Sequence, residues 1–421
     1  MPTEDPQTDS SSERPVRILI SAGEVSGDIA GARLVSAIRC SHPAVFHGLG
    51  GHRMREAGVH VHLDTNGLGT VGISEALVTF PRLLQGFLRL RREVRKRRPD
   101  VAVLIGNDVF NFFLARWLRL QKVSTVAFFP PQIWMWRSLA RLICGSFDLI
   151  LTSFPEEQEV YRAAGGSTHF VGHYLCDVLA PATPQEKAAA RRLHALNATT
   201  TVIALLPGSR NKEVMRLTGT LLDSARLILA RDPSLRFVLP VAEPCFQSFI
   251  EREIQRHSLS ENVILTLNSH DALRACDLAL LASGTASLEA ALLGVPMIVL
   301  YRVSTVTLMV ANIALWCGLL QSKTVGLPNL ILRETCVPEL RQTRATARES
   351  AQLAWSMLSD RTHLARTTTR LASIADLLAA KDPLGAAASL VLKQTSQRPA
   401  AAHQQESNMD SKSATEVYGR R

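Results

Sequence analysis

Two separate series of short apolar runs, each interleaved with helix-like segments, constrain this chain more than any other feature of it. The first comprises residues 16–21 (VRILIS), 101–106 (VAVLIG), 124–129 (STVAFF) and 149–154 (LILTSF). The second comprises residues 201–209 (TVIALLPGS), 236–241 (RFVLPV), 262–267 (NVILTL), 278–283 (LALLAS) and 296–301 (PMIVLY). Short, nearly continuous apolar runs suit parallel strands covered by helices on both faces. Their alternation with helices predicts two doubly wound α/β domains in tandem. With 421 residues, 46% of them hydrophobic, the chain is long enough for both. The expected division is a first domain over 16–176, a proline-interrupted polar linker over 177–200 and a second domain over 201–366. A helical segment over 367–393 is positioned to pack back on the first domain, and polar tails over 1–15 and 394–421 are expected to be disordered.

The seven cysteines are scattered, odd in number and never in a Cys-x-x-Cys pair, so neither a zinc site nor a disulfide framework is indicated. The first residues are polar and acidic where a secretory leader needs a basic start and an apolar core, which predicts a cytoplasmic protein. A formal charge of +10 points to nucleic acid, anionic lipid or phosphorylated substrates. Residues 80–100 concentrate this charge: Arg82, Arg89, Arg91, Arg92, Arg95, Lys96, Arg97 and Arg98 interleave with Leu83, Leu84, Phe87, Leu88 and Leu90. Such a segment reads either as an interfacial helix facing anionic lipid or as a solvated helix whose apolar stripe is core. Nucleic acid is not expected, since the run has no stacking aromatics beyond Phe80 and Phe87 and matches no reading motif. The uncharged run 303–320 is of marginal spanning length. Ser304, Thr305, Thr307 and Asn312 dilute it, which favours a half-buried helix or one dipping into a single leaflet.

The turns carry the chemistry. After the first run, Gly23, Gly27 and Gly31 are spaced four and four, matching neither the dinucleotide fingerprint nor a P-loop. Glu24 and Asp28 beside that helix start would repel a diphosphate, so the turn suits hydroxyl groups. A plain capping role for Ser26 and Asp28 explains the same residues. The second domain has the opposite electrostatics. Ser283, Gly284 and Thr285 open a helix with no acid in its first turn, where backbone N–H groups can take phosphate oxygens. Glu289, one turn on, is either a ribose-hydroxyl acceptor or an ordinary solvated glutamate. Gly208, Ser209 and Arg210 follow the second domain's first run, and an arginine there can fork onto a departing diphosphate. The chain holds no Asp-x-Asp pair, so no metal-chelated diphosphate is expected.

Taken in order, GEVSGD (23–28), GLGGHRMREAG (48–58), VGISEAL (71–77), IWMWR (133–137), FVGHYLCD (170–177), LLPGSR (205–210), LLASGTASLE (280–289), Tyr301-Arg302 and GLPNLIL (326–332) resemble the lipid-A-disaccharide synthase family over about residues 16–392. The resemblance implies a GT-B architecture, two Rossmann-like domains facing a cleft, with the acceptor mainly on the first and a UDP-sugar mainly on the second. It implies an inverting, metal-independent transfer from UDP-2,3-diacylglucosamine to 2,3-diacylglucosamine 1-phosphate (lipid X). No cofactor is implied, and the setting is peripheral, on the cytoplasmic face of a Gram-negative-type inner membrane with an anionic surface. It assigns Gly208, Ser209, Arg210, Ser283, Gly284, Thr285 and Glu289 to the UDP-sugar. Ser26, Gly27, Asp28, Trp136, Arg137 and Asn329 fall to the acceptor. Where the family's strand ends in I-D-x-P-D-F-N, this chain reads IGNDVFN over 105–111, so Gly106 replaces the first acid. Asp108 is therefore the expected general base, Glu24 the second choice, and Arg210 the stabiliser of the leaving group. Tyr174 stands where proline is usual. The lost acid keeps open another UDP-sugar GT-B enzyme, or a non-catalytic binder of lipid or nucleotide-sugar. The oligomeric state stays open.

Overall fold

A computed structural model of the chain describes residues 14–65, 73–106, 109–131, 133, 137–305, 307–309, 313 and 324–396. The predicted tails lie almost wholly outside the described residues, and so do most of the run 303–320, Asp108 and Trp136.

Each apolar run of the two series is a strand, and the strands sort into two parallel sheets. The first holds β1 (Val16–Ala22), β2 (Ala44–Gly50), β3 (His60–Asp64), β4 (Val101–Ile105), β5 (Ser124–Phe128), β6 (Leu149–Thr152) and β7 (Thr168–Phe170), in the order β3-β2-β1-β4-β5-β6-β7. The second holds β8 (Val202–Leu206), β9 (Arg236–Pro240), β10 (Val263–Thr266), β11 (Leu278–Ala282), β12 (Met297–Tyr301) and β13 (Glu339–Arg341), in the order β10-β9-β8-β11-β12-β13. Both are doubly wound, and in each the order reverses beside the first strand, β1 against β4 and β8 against β11. Ligands of such sheets bind in the crevice at the carboxyl ends of these strands.

The central strands β4, β8 and β11 are buried at every position, which is why their sequences read as uninterrupted apolar runs. β2 and β3 do not: AVFHGLG and HVHLD carry histidines and glycines at a partly exposed edge. Gly48 is obligatory there, because a Cβ would lie 1.6 Å from the Ile20 carbonyl oxygen of the neighbouring strand.

Helices cover both faces of each sheet. On the outer face of the first sheet, Leu90 and Val94 of the helix Ile73–Lys96 and Leu114 and Leu118 of the helix Val109–Leu120 join Leu19, Leu49 and Leu104 in one core. The inner faces of both sheets share a core that runs through Val171, Tyr174, Leu371, Leu378 and Val391. The chain crosses back to the first sheet near its end. His173 N–H donates to the Leu378 carbonyl at 3.0 Å. Gly172, at φ +80°, lies so close to Ala380 that a Cβ would come within 2.5 Å of its side chain. The helix Pro383–Ser396 then packs against the helix Val25–Ser41 and against β4 and β5.

Candidate functional site

The turn after β1 and the turn after β8, both at carboxyl ends of strands, meet across the space between the two sheets. Glu24 ends the first turn as the N-cap of the helix Val25–Ser41, and Arg210 ends the second as the N-cap of the helix Asn211–Leu229. One Arg210 guanidinium nitrogen donates to Glu24 Oε2 at 2.7 Å and another donates to Glu213 Oε1 at 2.7 Å. Burial opposes the charge of Arg210, but the carboxylates of Glu24 and Glu213 more than offset it and raise its pKa above the ordinary arginine value. Arg210 is therefore a fixed cation. Its Nε is buried and has no hydrogen-bond partner among the described residues. Gly208 is required for this arrangement: its φ is +107°, and a Cβ would come within 2.6 Å of a Glu213 carboxylate oxygen. Ser209 is half-buried in the same turn.

The second element of the candidate site is the turn after β11. Gly284, at φ +154°, precedes the helix Thr285–Leu292, which has no acid in its first turn and no side chain capping it. A Cβ at Gly284 would meet nothing within 4 Å, so the turn opens onto space and its N–H groups can receive an anion. Ser283 Oγ donates to the Val325 carbonyl at 2.7 Å, so its hydroxyl ties the turn down. On the next turn of the helix, Glu289 Oε2 lies 3.3 Å from His270 Nε2, and this carboxylate is more than four-fifths buried. It is thus a held carboxylate with one oxygen left for a hydroxyl donor, not a solvated helix residue.

Several of the expected acceptor contacts are engaged within the fold. Gly27 and Gly31 lie inside the helix Val25–Ser41 and let it press on its neighbours, while Gly23 precedes it. A Cβ at Gly27 would reach the Ala22 side chain at 3.3 Å, and one at Gly31 the Met54 sulfur at 2.9 Å. Asp28 is fully buried, and its carboxylate accepts from the N–H groups of Gly51 (2.7 Å), Arg53 (3.1 Å) and Met54 (3.1 Å). It caps the helix His52–Glu56, a different helix from the one it sits on. Gly27 and Asp28 are thus engaged by the scaffold, Gly27 through close packing and Asp28 through its three backbone N–H groups. Asn329 is held in a network of its own. Its amide donates to the Val337 carbonyl and to Glu339 Oε1, both at 2.8 Å, and its oxygen accepts from Cys336 N and Val337 N. Glu339 in turn accepts from Val325 N and Gly326 N. The network reaches Val325, whose carbonyl receives the Ser283 hydroxyl, so Asn329 supports the turn after β11. Ser26 is half-buried near the cleft and Arg137 is exposed at the start of a short 3-10 helix. Among the described residues no group of three metal-ligating side chains is arranged to hold an ion.

Sequence reasoning passed over Glu213, His270 and Asn111. Glu213 and His270 orient the two expected functional side chains. Only position would have revealed them, three residues after Arg210 and at the start of the helix after β10.

Two Rossmann-like domains, whose facing turns bring a cation and an open helix start from the second against a carboxylate from the first, define a protein of the GT-B fold class. The UDP-N-acetylglucosamine 2-epimerase from Neisseria meningitidis, solved bound to UDP-N-acetylglucosamine, has this fold, with a TM-score of 0.56 and 12% identity over 91% of this chain and 100% of that one. The family model for lipid-A-disaccharide synthetase matches residues 18–382, and the chain belongs to that family. It is 38% identical to the lipid-A-disaccharide synthase of Xanthomonas euvesicatoria over 78% of this chain and 75% of that protein. It is also 38% identical to that of Pseudomonas aeruginosa (strain UCBPP-PA14), over 82% and 90% respectively.

Proposed function

We propose that this protein transfers the 2,3-diacylglucosaminyl group of UDP-2,3-diacylglucosamine to the 6-hydroxyl of 2,3-diacylglucosamine 1-phosphate. The products are a β-1,6-linked tetra-acyl disaccharide 1-phosphate and UDP. The observation that carries the reading is the 2.7 Å meeting of Glu24 and Arg210, a carboxylate from the acceptor side against a cation from the donor side. The donor diphosphate lies on the Gly284–Thr285 helix start and on Arg210, and the ribose on Glu289. A general base takes the proton of the acceptor 6-hydroxyl, whose oxygen attacks C1 of the donor sugar from the face opposite the diphosphate. The C1–O bond to UDP breaks with its electron pair, so the configuration inverts. Arg210 stabilises the charge that develops on the departing UDP, a role that needs no metal. Asp108 is the first choice for the base because Glu24 is engaged by Arg210.

Both substrates carry acyl chains, and one surface suits a membrane. On the helix Ile73–Lys96, Phe80, Leu84 and Leu88 recur at four-residue intervals and are exposed, beside exposed Arg82, Arg89, Arg92 and Arg95. Gly86, Leu90 and Val94 of the same helix are buried on the sheet, so the segment serves core and surface together. Val109 and Phe113 of the neighbouring helix, joined to it by the Phe87–Trp117 ring contact at 5.3 Å, are also exposed. An apolar stripe flanked by arginines fits peripheral attachment to an anionic leaflet, here the cytoplasmic face of the inner membrane. Among the described residues no helix is long and apolar enough to cross a membrane.

The test is incubation of the purified protein with both lipid substrates in detergent and EDTA, reading UDP release and the disaccharide by mass spectrometry. Product at a catalytic rate is expected. Asp108→Asn should lower turnover by roughly 10²–10⁴. UDP binding without product would refute the reading in favour of another acceptor or a non-catalytic role, and near-normal turnover of Asp108→Asn would discard that base.

A further inference from the structure

The helix Val109–Leu120 places Asn111 directly beneath the crevice at the reversal point of the first sheet. β1 and β4 run side by side there, with Ser21 opposite Leu104 and Ala22 opposite Ile105. The Asn111 side chain spans the two strand ends. Its Oδ1 accepts from Ser21 Oγ at 2.7 Å, and its Nδ2 donates to the Ile105 carbonyl at 3.0 Å and, more weakly, to the Ser21 carbonyl at 3.4 Å. Ser21 and Asn111 are 1% and 2% exposed, so water does not compete for these bonds. Only an amide supplies both halves at this position. A carboxylate would face two carbonyl oxygens, and an alkyl group would leave a buried hydroxyl and a buried carbonyl unsatisfied.

The two ends it ties carry the turns that matter for transfer. Glu24 follows Ser21 by three residues, and Gly106 follows Ile105 directly, turning the chain away at φ +93°. Gly106 N–H is bound to the Phe128 carbonyl at 3.1 Å, so the end of β4 is fixed on its β5 side by backbone and on its β1 side by Asn111. The turn after β1 is held at its start by the Thr65 hydroxyl, which donates to the Ala22 carbonyl at 2.6 Å, and at Glu24 by Arg210, while the Glu24 side chain makes no capping bond to its own helix. Resting on the proposed function, we infer that Asn111 is a positioning residue, whose amide sets the spacing between the Glu24 turn and the turn after β4. It touches no substrate. The donor elements lie on the other sheet and touch Asn111 nowhere, although Arg210 reaches this turn through Glu24.

This separation gives the test. Asn111→Ala and Asn111→Asp are compared with Ser21→Ala, a milder variant that keeps the bond to Ile105. Turnover with both lipid substrates, UDP affinity by calorimetry and amide hydrogen exchange of residues 22–27 and 104–106 are measured on each. The expected result is a kcat lower by roughly 10²-fold for the Asn111 variants, the cost of misplacing reacting groups by about 1 Å. Ser21→Ala should lose less, UDP affinity should stay within about threefold, and exchange in the two turns should quicken while that of the second domain does not. Two outcomes overturn the inference: wild-type kcat and exchange in Asn111→Asp, or a loss shared equally by UDP affinity and second-domain exchange, which marks a general structural role. Should the unaltered chain form no product, the proposed function fails on its own. The exchange of the two turns, read against UDP affinity, still decides whether Asn111 sets their spacing.

Discussion

Lowering the pH from 7 to 5 should weaken the first domain through a histidine cluster at the sheet edge. His47 on β2 stands opposite His60 of β3, and the ring of His62 lies 5.8 Å from that of His47 and 4.7 Å from that of His60. Both ring nitrogens of His47 are buried and have no hydrogen-bond partner among the described residues. Burial, with the nearby imidazoles of His62 and His60 and the Arg17 guanidinium, lowers its pKa from 6.5 to about 4, against a smaller opposing pull from Glu93. His62 is lowered for similar reasons, with Arg89 contributing. The unfolded chain takes up the proton at 6.5 and the folded chain only near 4, so stability is intact above pH 6.5 and falls as pH drops through this window. A shift from 6.5 to about 4 corresponds to ~3 kcal/mol once pH is below 4, of which ~2 kcal/mol is lost by pH 5. The assay is urea unfolding followed by tryptophan fluorescence at pH 7 and pH 5, on the unaltered chain and on His47→Gln. Trp117 packs against Phe87 of the helix covering this edge and reports on it. The difference between the two proteins cancels contributions from His173, which is buried elsewhere and held near 3. The variant should lose about 2 kcal/mol less than the unaltered chain between the two pH values. Equal losses would refute the assignment of acid sensitivity to this cluster.

Arg210→Ala should lower kcat by roughly 10²–10³ and weaken UDP binding in calorimetry. Arg210→Lys should restore little of either, because an ammonium cannot fork between Glu24, Glu213 and a diphosphate. Asp28→Asn should cost about 1–3 kcal/mol in urea unfolding, since the carboxylate receives three backbone N–H groups, and should leave UDP affinity unchanged. Leu84→Glu with Leu88→Glu should reduce sedimentation with anionic vesicles at least tenfold while leaving unfolding midpoints within about 0.5 kcal/mol, because both residues are exposed.

The parts of the fold that sequence revealed are those where burial is two-sided. β4, β8 and β11 advertise themselves because helices cover both faces, and the turns that follow them are then located to a residue. β2 and β3 escaped notice because their histidines and glycines answer to local packing at an edge, Gly48 most sharply. In the site, Arg210, Gly284 and Glu289 were legible from their place after strands. The partner each side chain chooses was not. Asp28 reaches forward to another helix, Asn329 belongs to a network ending at Ser283, and Glu24 and Arg210 find one another from different domains. The spacing of Gly23, Gly27 and Gly31 looked like loop chemistry, yet Gly27 and Gly31 share one face of the helix, and close packing on Ala22 and Met54 uses them that way.

The return of the helix Pro383–Ser396 to the first domain has a consequence for how the protein is made. A ribosome releases the first sheet complete with all seven strands long before this helix exists. Until residue 396 has emerged, Leu34 and Ile38 share a core that lacks Ala387, Ala388 and Val391. The nascent first domain therefore waits with an uncovered apolar face through the synthesis of the whole second domain. Late in translation is when a chaperone would find most to hold, and a messenger cut short before this helix would yield an aggregating product even though every strand of both sheets had been encoded.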